Sequence, residues 1–445
     1  MDAAAGARRL PRARWRSTRA RRHCVRAARW LGADAARHPS PRHPPAAPAG
    51  AGSGRVVNGE PYTLYLFWIS YFSGKLQAVL RYKEIPHRCI EPEWGGALLH
   101  EVFENTGLMK VPVLRTPAGD WLADSTPIID WLDREHPDSA LIPADPLQGF
   151  FSRLVEDYAD EWLWRPALHY RWSHAADAHA LSRRFAESFL SGQPTPRWLT
   201  AALIRDRQHR IYVRGDGVSA ATRDHVESIY LLTLDRLQAI FERQPFLLGG
   251  RPSLADYGFF ASMFRHFSLD PTPSLIMQSR APAVFEWVAR LWNAKASTTR
   301  GAWCDAGTLP DGWTPILRDV GAAYLPYLHA NAMAFRDGRR HFDFEVQGAR
   351  YRRLPVVPYR VWCREQLQAA HAALPAAARA VVDATLAEVG ALSPLLADGV
   401  IASKLYADCT PPLCRPRVVG RIERLRRWIT GTHWQPAKLA ARTPR

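Results

Sequence analysis

Residues 105–125 read NTGLMKVPVLRTPAGDWLADS, and this stretch decides the fold. Val111-Pro112 opens an apolar run over 111–115, the turn Pro117-Ala118-Gly119 follows, and a second short run covers 121–123. Asp124-Ser125 then starts a helical pattern over 125–135, with Ile128, Ile129, Trp131 and Leu132 spaced for burial. The reading is strand, turn, strand, helix. Working outward, 62–67 is a β-branched and aromatic run that predicts a strand. Leu76, Val79 and Leu80 lie on one face of a helix over 70–83, which Pro86 stops. A short strand is expected over 87–90 and a helix over 95–103.

The order β-α-β-α-β-β-α is the thioredoxin-like arrangement, a small mixed sheet with helices on both faces. After a Pro- and Asp-rich linker at 137–146, strand signals vanish. Helical patterns cover 151–168, 180–190, 226–241, 254–267 and 283–292. The fold class is therefore an α+β thioredoxin-like domain over 61–137, followed by an all-α domain over 147–296. A mostly helical extension over 301–407 comes next. In it, 322–335 reads as helix, and Phe342, Phe344 and Val346 alternate before a Gln347-Gly348 turn that returns through Tyr351, a β-hairpin. Residues 359–396 read as helix broken at Pro375, and 421–428 as a short basic helix.

The chain has 445 residues and a net charge of +17. Residues 1–55 carry +11 and 415–445 carry +8, so 56–414 carries −2. The basicity sits at the ends, which argues against a nucleic-acid-binding face on the folded body. The Arg/Pro/Ala-rich leader over 1–55 and the basic tail over 415–445 cannot build a core and are expected to lack fixed structure. The leader has no apolar stretch for a secretory signal; it is Arg-rich and acid-poor like a transit peptide, but holds only three serines. Six scattered cysteines (Cys24, Cys89, Cys304, Cys363, Cys409, Cys414) make no disulfide scaffold or zinc pattern and suit a reducing, cytoplasmic compartment. No apolar run reaches the length of a membrane span.

Four features sit where a small thiol peptide would need them. Ser70 starts a helix just after the first strand, where backbone N–H groups and the helix dipole favour a thiolate; alone it would be an N-cap. A cis bond at Val111-Pro112 would turn the Val111 backbone outward to pair with an extended peptide. The N–H and hydroxyl of Ser125 could hold a carboxylate while Asp124 takes an amino group, although simple capping explains the pair as well. Ser253 and Asp256, three apart at a helix start, read as a structural capping box.

Together these motifs resemble the cytosolic glutathione transferase family over 61–296. Ser70 through Leu76 and Lys83 to Pro86 are similar to its first helix, Asn105 through Leu114 to its cis-proline segment, Leu122 to Ser125 to its γ-glutamyl-binding turn, and Gly250 to Asp256 to its capping box. The resemblance implies that Ser70, with Ser73 one turn on as second candidate, activates a bound thiol. It also implies that Lys110 meets the glycyl carboxylate, that Val111 beside Pro112 pairs with the glutathione backbone, and that Asp124 and Ser125 hold the γ-glutamyl end. No cysteine stands at 70 or 73, so disulfide exchange is not expected.

The expected function is glutathione transfer to a small hydrophobic electrophile, with glutathione as co-substrate and a homodimer implied by the family. The alternatives are a glutathione-dependent isomerase or dehalogenase, or a non-catalytic binding module. No specific nucleic acid and no membrane span are expected, although a third reading has the basic ends 1–55 and 415–445 bind nucleic acid or an anionic membrane. Tyr158, Trp162, Trp164, His169, Tyr170 and Trp172 are the candidate wall of the second-substrate pocket, although such a stripe also suits a core. His169, His174 and His179 step by five, which does not stack on one helix face, so no metal is expected.

Overall fold

The computed structural model describes residues 60–93, 96–107, 110–188, 195–406 and 411–413. The leader, the basic tail with its expected helix, Cys24, Cys409 and Cys414 lie outside them. The first strand, β1 (Tyr62–Tyr65), is the centre of a small sheet. It pairs in parallel with β2 (His87–Ile90) and antiparallel with β3 (Val113–Arg115), which pairs with β4 (Trp121–Ala123). The strand order is β2-β1-β3-β4, leaving β4 at an edge. Helix α1 (Tyr71–Tyr82) buries Leu76, Val79 and Leu80, the face its spacing predicts. Helix α2 (Ala97–Thr106) ends on Gly107, whose φ of 69° is the left-handed cap that glycine adopts without steric cost. Helix α3 (Ser125–Glu135) buries Ile128, Ile129 and Leu132. This is the thioredoxin-like sheet, with strands shorter than the apolar runs because pairing starts only at Val113 and stops at Tyr65.

The helical layer begins with α4 (Pro146–Trp162) and α5 (Trp164–Ser173). A single helix over 151–168 is not formed. Pro166 has no N–H to return to the Trp162 carbonyl, and the chain breaks at Leu163. Helices α6 (Ala175–Glu187), α7 (Arg197–Gln208), α8 (Arg223–Phe241), α9 (Leu254–Ser262), α10 (Pro271–Arg280) and α11 (Pro282–Asn293) follow. The expected helix over 254–267 changes to a π-helical turn at Met263–Phe267. Helices α7 and α10 were not expected. Pro271 stands at the first helical position of α10, where its missing N–H has no partner to lose. At Gly258 a Cβ would meet the Glu156 Cα at 2.6 Å, so glycine lets α9 lie directly on α4.

The extension is not an appendage. Helices α12 (Thr314–Asp319) and α13 (Leu325–Arg336) flank a π-helical turn. A hairpin of β5 (His341–Val346) and β6 (Ala349–Pro355) follows, then α14 (Pro358–Ala372), α15 (Ala376–Glu388) and α16 (Leu392–Leu396). Gln347 and Gly348 both take positive φ, the tight hairpin turn, and Pro375 breaks the helix as read. Tyr324, Tyr327 and Leu386 join one apolar core with Tyr158 and Trp162 of α4. Tyr158 donates to Asp319 at 2.7 Å and Tyr324 donates to Asp157 at 2.6 Å, so α4 is covered by the extension. Among the described residues, no helix is long and apolar enough to cross a membrane, and Cys89, Cys304 and Cys363 are free thiols.

Candidate functional site

The chain between β1 and α1 places the first pair of candidates. Ser70 caps α1, its hydroxyl accepting from the Ser73 N–H at 3.4 Å, and it stays half-buried. Ser73 is buried, and its hydroxyl oxygen accepts from the Phe67 N–H at 3.2 Å. The two hydroxyls are thus in different environments. Ser73 braces the loop from within, and Ser70 is the one that reaches the surface side. A residue the sequence reading missed holds this loop in place. Arg171 of α5 donates to the Ile69 carbonyl at 2.8 Å, while Asp270 grips the same guanidinium at 2.8 and 2.9 Å. Trp68 carries the Arg184 guanidinium 3.6 Å above its ring, and Phe72 stacks with Trp164. The approach to Ser70 is therefore aromatic and basic.

The second cluster surrounds the β4–α3 turn. The Val111–Pro112 peptide is cis, and Val111 precedes the β3 ladder, which begins at Val113. Asp124 stands at φ 79° and ψ 118°, a left-handed position rare for a non-glycine residue, and makes no side-chain cap to α3. Its carboxylate accepts instead from Tyr359 of α14 at 3.0 Å and from Tyr406 at 2.8 Å. Burial pushes the Asp124 carboxyl up, opposed by the Lys110 charge and the two phenols. Burial brings Lys110 down to about 8, opposed by Asp124 and Glu161. Lys110 also lies 5.9 Å from the Tyr359 ring centroid. Beside them the Ala123 N–H on the β4 edge donates to the Pro412 carbonyl at 3.2 Å. Ser125 is buried at the start of α3. The structure thus brings Lys110 and Asp124 together and covers them with residues from the end of the extension. No local sequence signal connects Tyr359 or Tyr406 to Asp124.

Beneath this turn lies a network that a run of helical residues does not announce. Lys75 of α1 is fully buried between Glu156 and Asp160 of α4, and Thr126 donates to Glu156 at 2.6 Å. The two carboxylates hold the Lys75 ammonium charged, well above its usual range, against the desolvation that burial imposes. The network ties α1, the start of α3 and α4 together, so the α3 N-terminus is set from below.

The candidate wall of a second-substrate pocket is corrected. Tyr158, Trp162, Tyr170 and His169 are buried in the interior, as is Trp172, because α12, α13 and α8 pack over them. Of that set Trp164 alone remains half-buried, against Phe72 and Tyr212. Ser253 and Asp256 form the expected structural box. Asp256 accepts from the Ser253 N–H and hydroxyl at 2.9 Å, from the Leu247 N–H at 2.9 Å and from Trp287 at 3.3 Å.

Residues 64–140 match the glutathione S-transferase N-terminal domain, and 220–290 match the glutathione S-transferase C-terminal domain. Among solved structures, a glutathione S-transferase from Methylobacterium radiotolerans, in complex with glutathione sulfonate, is 21% identical. That match covers 56% of this chain and 98% of that one, at a TM-score of 0.33. The beta-etherase LigF from Sphingobium sp. strain SYK-6 is 20% identical over 52% of this chain and 95% of that one, at a TM-score of 0.38. FzlA from C. crescentus is 16% identical over 52% and 88%, at a TM-score of 0.35.

Proposed function

From a chain that carries both the N-terminal and the C-terminal domain of the glutathione S-transferases, we propose an enzyme that binds glutathione at the β3–α3 edge and activates its thiol. The observation that carries this reading is Asp124. A half-buried acid held at positive φ costs about 1–3 kcal/mol and persists where the surroundings hold it for a purpose. With the Lys110 charge acting on it, it makes a pair of opposite charges suited to a zwitterionic peptide. Asp124 takes the α-amino group, and the Ser125 N–H at the helix start takes the neighbouring carboxylate. Val111 pairs with the peptide backbone, and Lys110 meets the glycyl carboxylate. Ser70 donates a hydrogen bond to the sulfur, which favours thiolate over thiol and lowers its pKa. The thiol proton passes to solvent, and the thiolate forms a carbon–sulfur bond to a small hydrophobic electrophile, whose leaving group departs with the electron pair. An isomerase or a dehalogenase would use the same thiolate and differ in the electrophile.

The second reading, a binding module without catalysis, has its own support. The phenols of Tyr359 and Tyr406 occupy the Asp124 carboxylate that an amino group would need. On the catalytic reading glutathione displaces at least one of them, and the extension is the lid that it opens. The test is the ultraviolet absorbance of enzyme-bound glutathione thiolate, followed against pH with the full chain. The expected result is a thiolate pKa below that of free glutathione, restored toward the free value in Ser70→Ala. A Ser70→Ala variant that binds glutathione and keeps the lowered pKa would exclude Ser70 as activator. Absence of glutathione binding, in the wild type and in Tyr359→Phe/Tyr406→Phe alike, would favour the module.

A further inference from the structure

Away from the Asp124 turn, the α5–α6 junction gathers two histidines and an acid. Helix α5 ends at Ser173, and His174 stands between the helices in an extended conformation, φ −89° and ψ 125°. The five-residue step from His169 to His174 is therefore not a step along one helix. The chain turns at Ser173 and folds the His174 ring back. It stacks on Tyr170, with centroids 5.2 Å apart and planes 8° from parallel, and its centroid lies 5.6 Å from that of His169. From α8, Glu227 reaches His169 Nε2 at 3.0 Å. One donor atom from each of His169, His174 and Glu227 lies within 4.8 Å of the other two. His179, the third histidine of the series, is exposed on α6 and takes no part.

We propose that His169, His174 and Glu227 bind a divalent transition-metal ion. Two imidazoles and one carboxylate form a three-ligand set suited to zinc, nickel or copper and unsuited to the all-oxygen demands of calcium or magnesium. Two further features support the assignment. The Ser173 hydroxyl lies 2.9 Å from His169 Nδ1, the outer-shell contact that fixes a ligating ring and turns its Nε2 lone pair toward the site. The His174 Nε2 atom is buried with no hydrogen-bond partner. The ion pair of His169 with Glu227 satisfies those two residues without a metal but leaves this nitrogen unpaid for. The Glu227 side chain is one-third exposed, so a fourth position opens to solvent for water or an outside ligand.

The experiment strips the full chain with chelator and titrates it with cobalt(II), followed by zinc(II). The expected result is one equivalent of cobalt with a visible d–d band that zinc abolishes. His174→Ala and Glu227→Gln each weaken binding at least ~10-fold, Ser173→Ala weakens it roughly 10–100-fold, and His179→Ala leaves it unchanged. Zinc raises the Tm of the wild type and not that of the weakened variants. Circular dichroism checks that each variant is folded. If His174→Ala does not fold, Glu227→Gln, on the solvent side, carries the same expectation. A wild type without the band, or His174→Ala and Glu227→Gln binding cobalt as the wild type does, would overturn the proposal. None of these readouts depends on glutathione.

Discussion

Asp256 and Asp124 both stand at a helix N-terminus, the first fully buried and the second half-buried, and desolvation raises both pKa values, that of Asp256 to about 6. They are satisfied in opposite ways. Asp256 accepts from its own segment, with Ser253 and Leu247 supplying three donors and Trp287 a fourth. Asp124 makes no bond to its own helix, sits at positive φ, and accepts from tyrosines more than two hundred residues away in sequence. The first acid closes the local structure on itself and has no capacity left for a ligand. The second keeps a carboxylate whose partners lie on a different part of the chain and can exchange for something else. A capping pattern in a sequence is the same in both cases; where the carboxylate finds its donors is what separates scaffold from site.

Five measurements can break or sharpen this contrast. The largest effect is expected for Asp256→Ala, which strands the Leu247 and Ser253 N–H groups and the Trp287 indole. It should lower unfolding free energy by about 3 kcal/mol, read as a shift in denaturant midpoint at constant slope. Asp124→Gly should leave stability within about 1 kcal/mol of wild type, because relief at positive φ offsets the lost phenol bonds. Equal destabilisation by the two variants would end the distinction.

The same Asp124→Gly variant should lose glutathione affinity by roughly 10- to 100-fold, the worth of one hydrogen-bonded charge. Calorimetry measures it. In the other direction, Tyr359→Phe/Tyr406→Phe frees the carboxylate and should tighten glutathione binding by roughly 5- to 10-fold. Weaker binding in that double variant would mean the phenols belong to the ligand site rather than to a lid.

The smallest effect is in the pH profile. Burial depresses the Lys110 pKa to about 8, so its positive charge is present below that pH and lost as pH rises through it. Binding of S-methylglutathione, which has no thiol to titrate, should therefore weaken by a few-fold between pH 7 and 9. Lys110→Met should bind weakly throughout and flatten that arm. A wild-type profile that does not change across this range would remove Lys110 from the site.

The sheet and its flanking helices were legible because each element is specified locally. Apolar spacing marks the buried face of α1, Pro86 stops it, and Asp124-Ser125 opens a helix that runs as read. So were the Gln347-Gly348 hairpin and the break at Pro375. Aromatic residues on α4 and α5 misled. Tyr158 and Trp162 have the spacing of a pocket wall, and only the arrival of Tyr324 and Tyr327 from the extension decides that they are core. The five-residue histidine step lies outside the reach of a periodicity argument, which holds only inside one helix, since α5 stops between His169 and His174. Arg171 and Lys75 carry no sign in sequence of the buried acids that hold them.

By itself, then, the sequence determined the order of elements, the Val111-Pro112 and Asp124-Ser125 turns and the Asp256 box, because turns, caps and amphipathic spacing act over a few residues. Tertiary structure alone decided which serine stays within reach, which aromatics are interior, and what covers Asp124. Those outcomes depend on contacts between α1 and α4, between α5 and α8, and between the β4–α3 turn and the end of the extension. Burial and desolvation are set by whatever packs from far along the chain, and the energy of a carboxylate or an imidazole follows from that packing rather than from its neighbours in sequence.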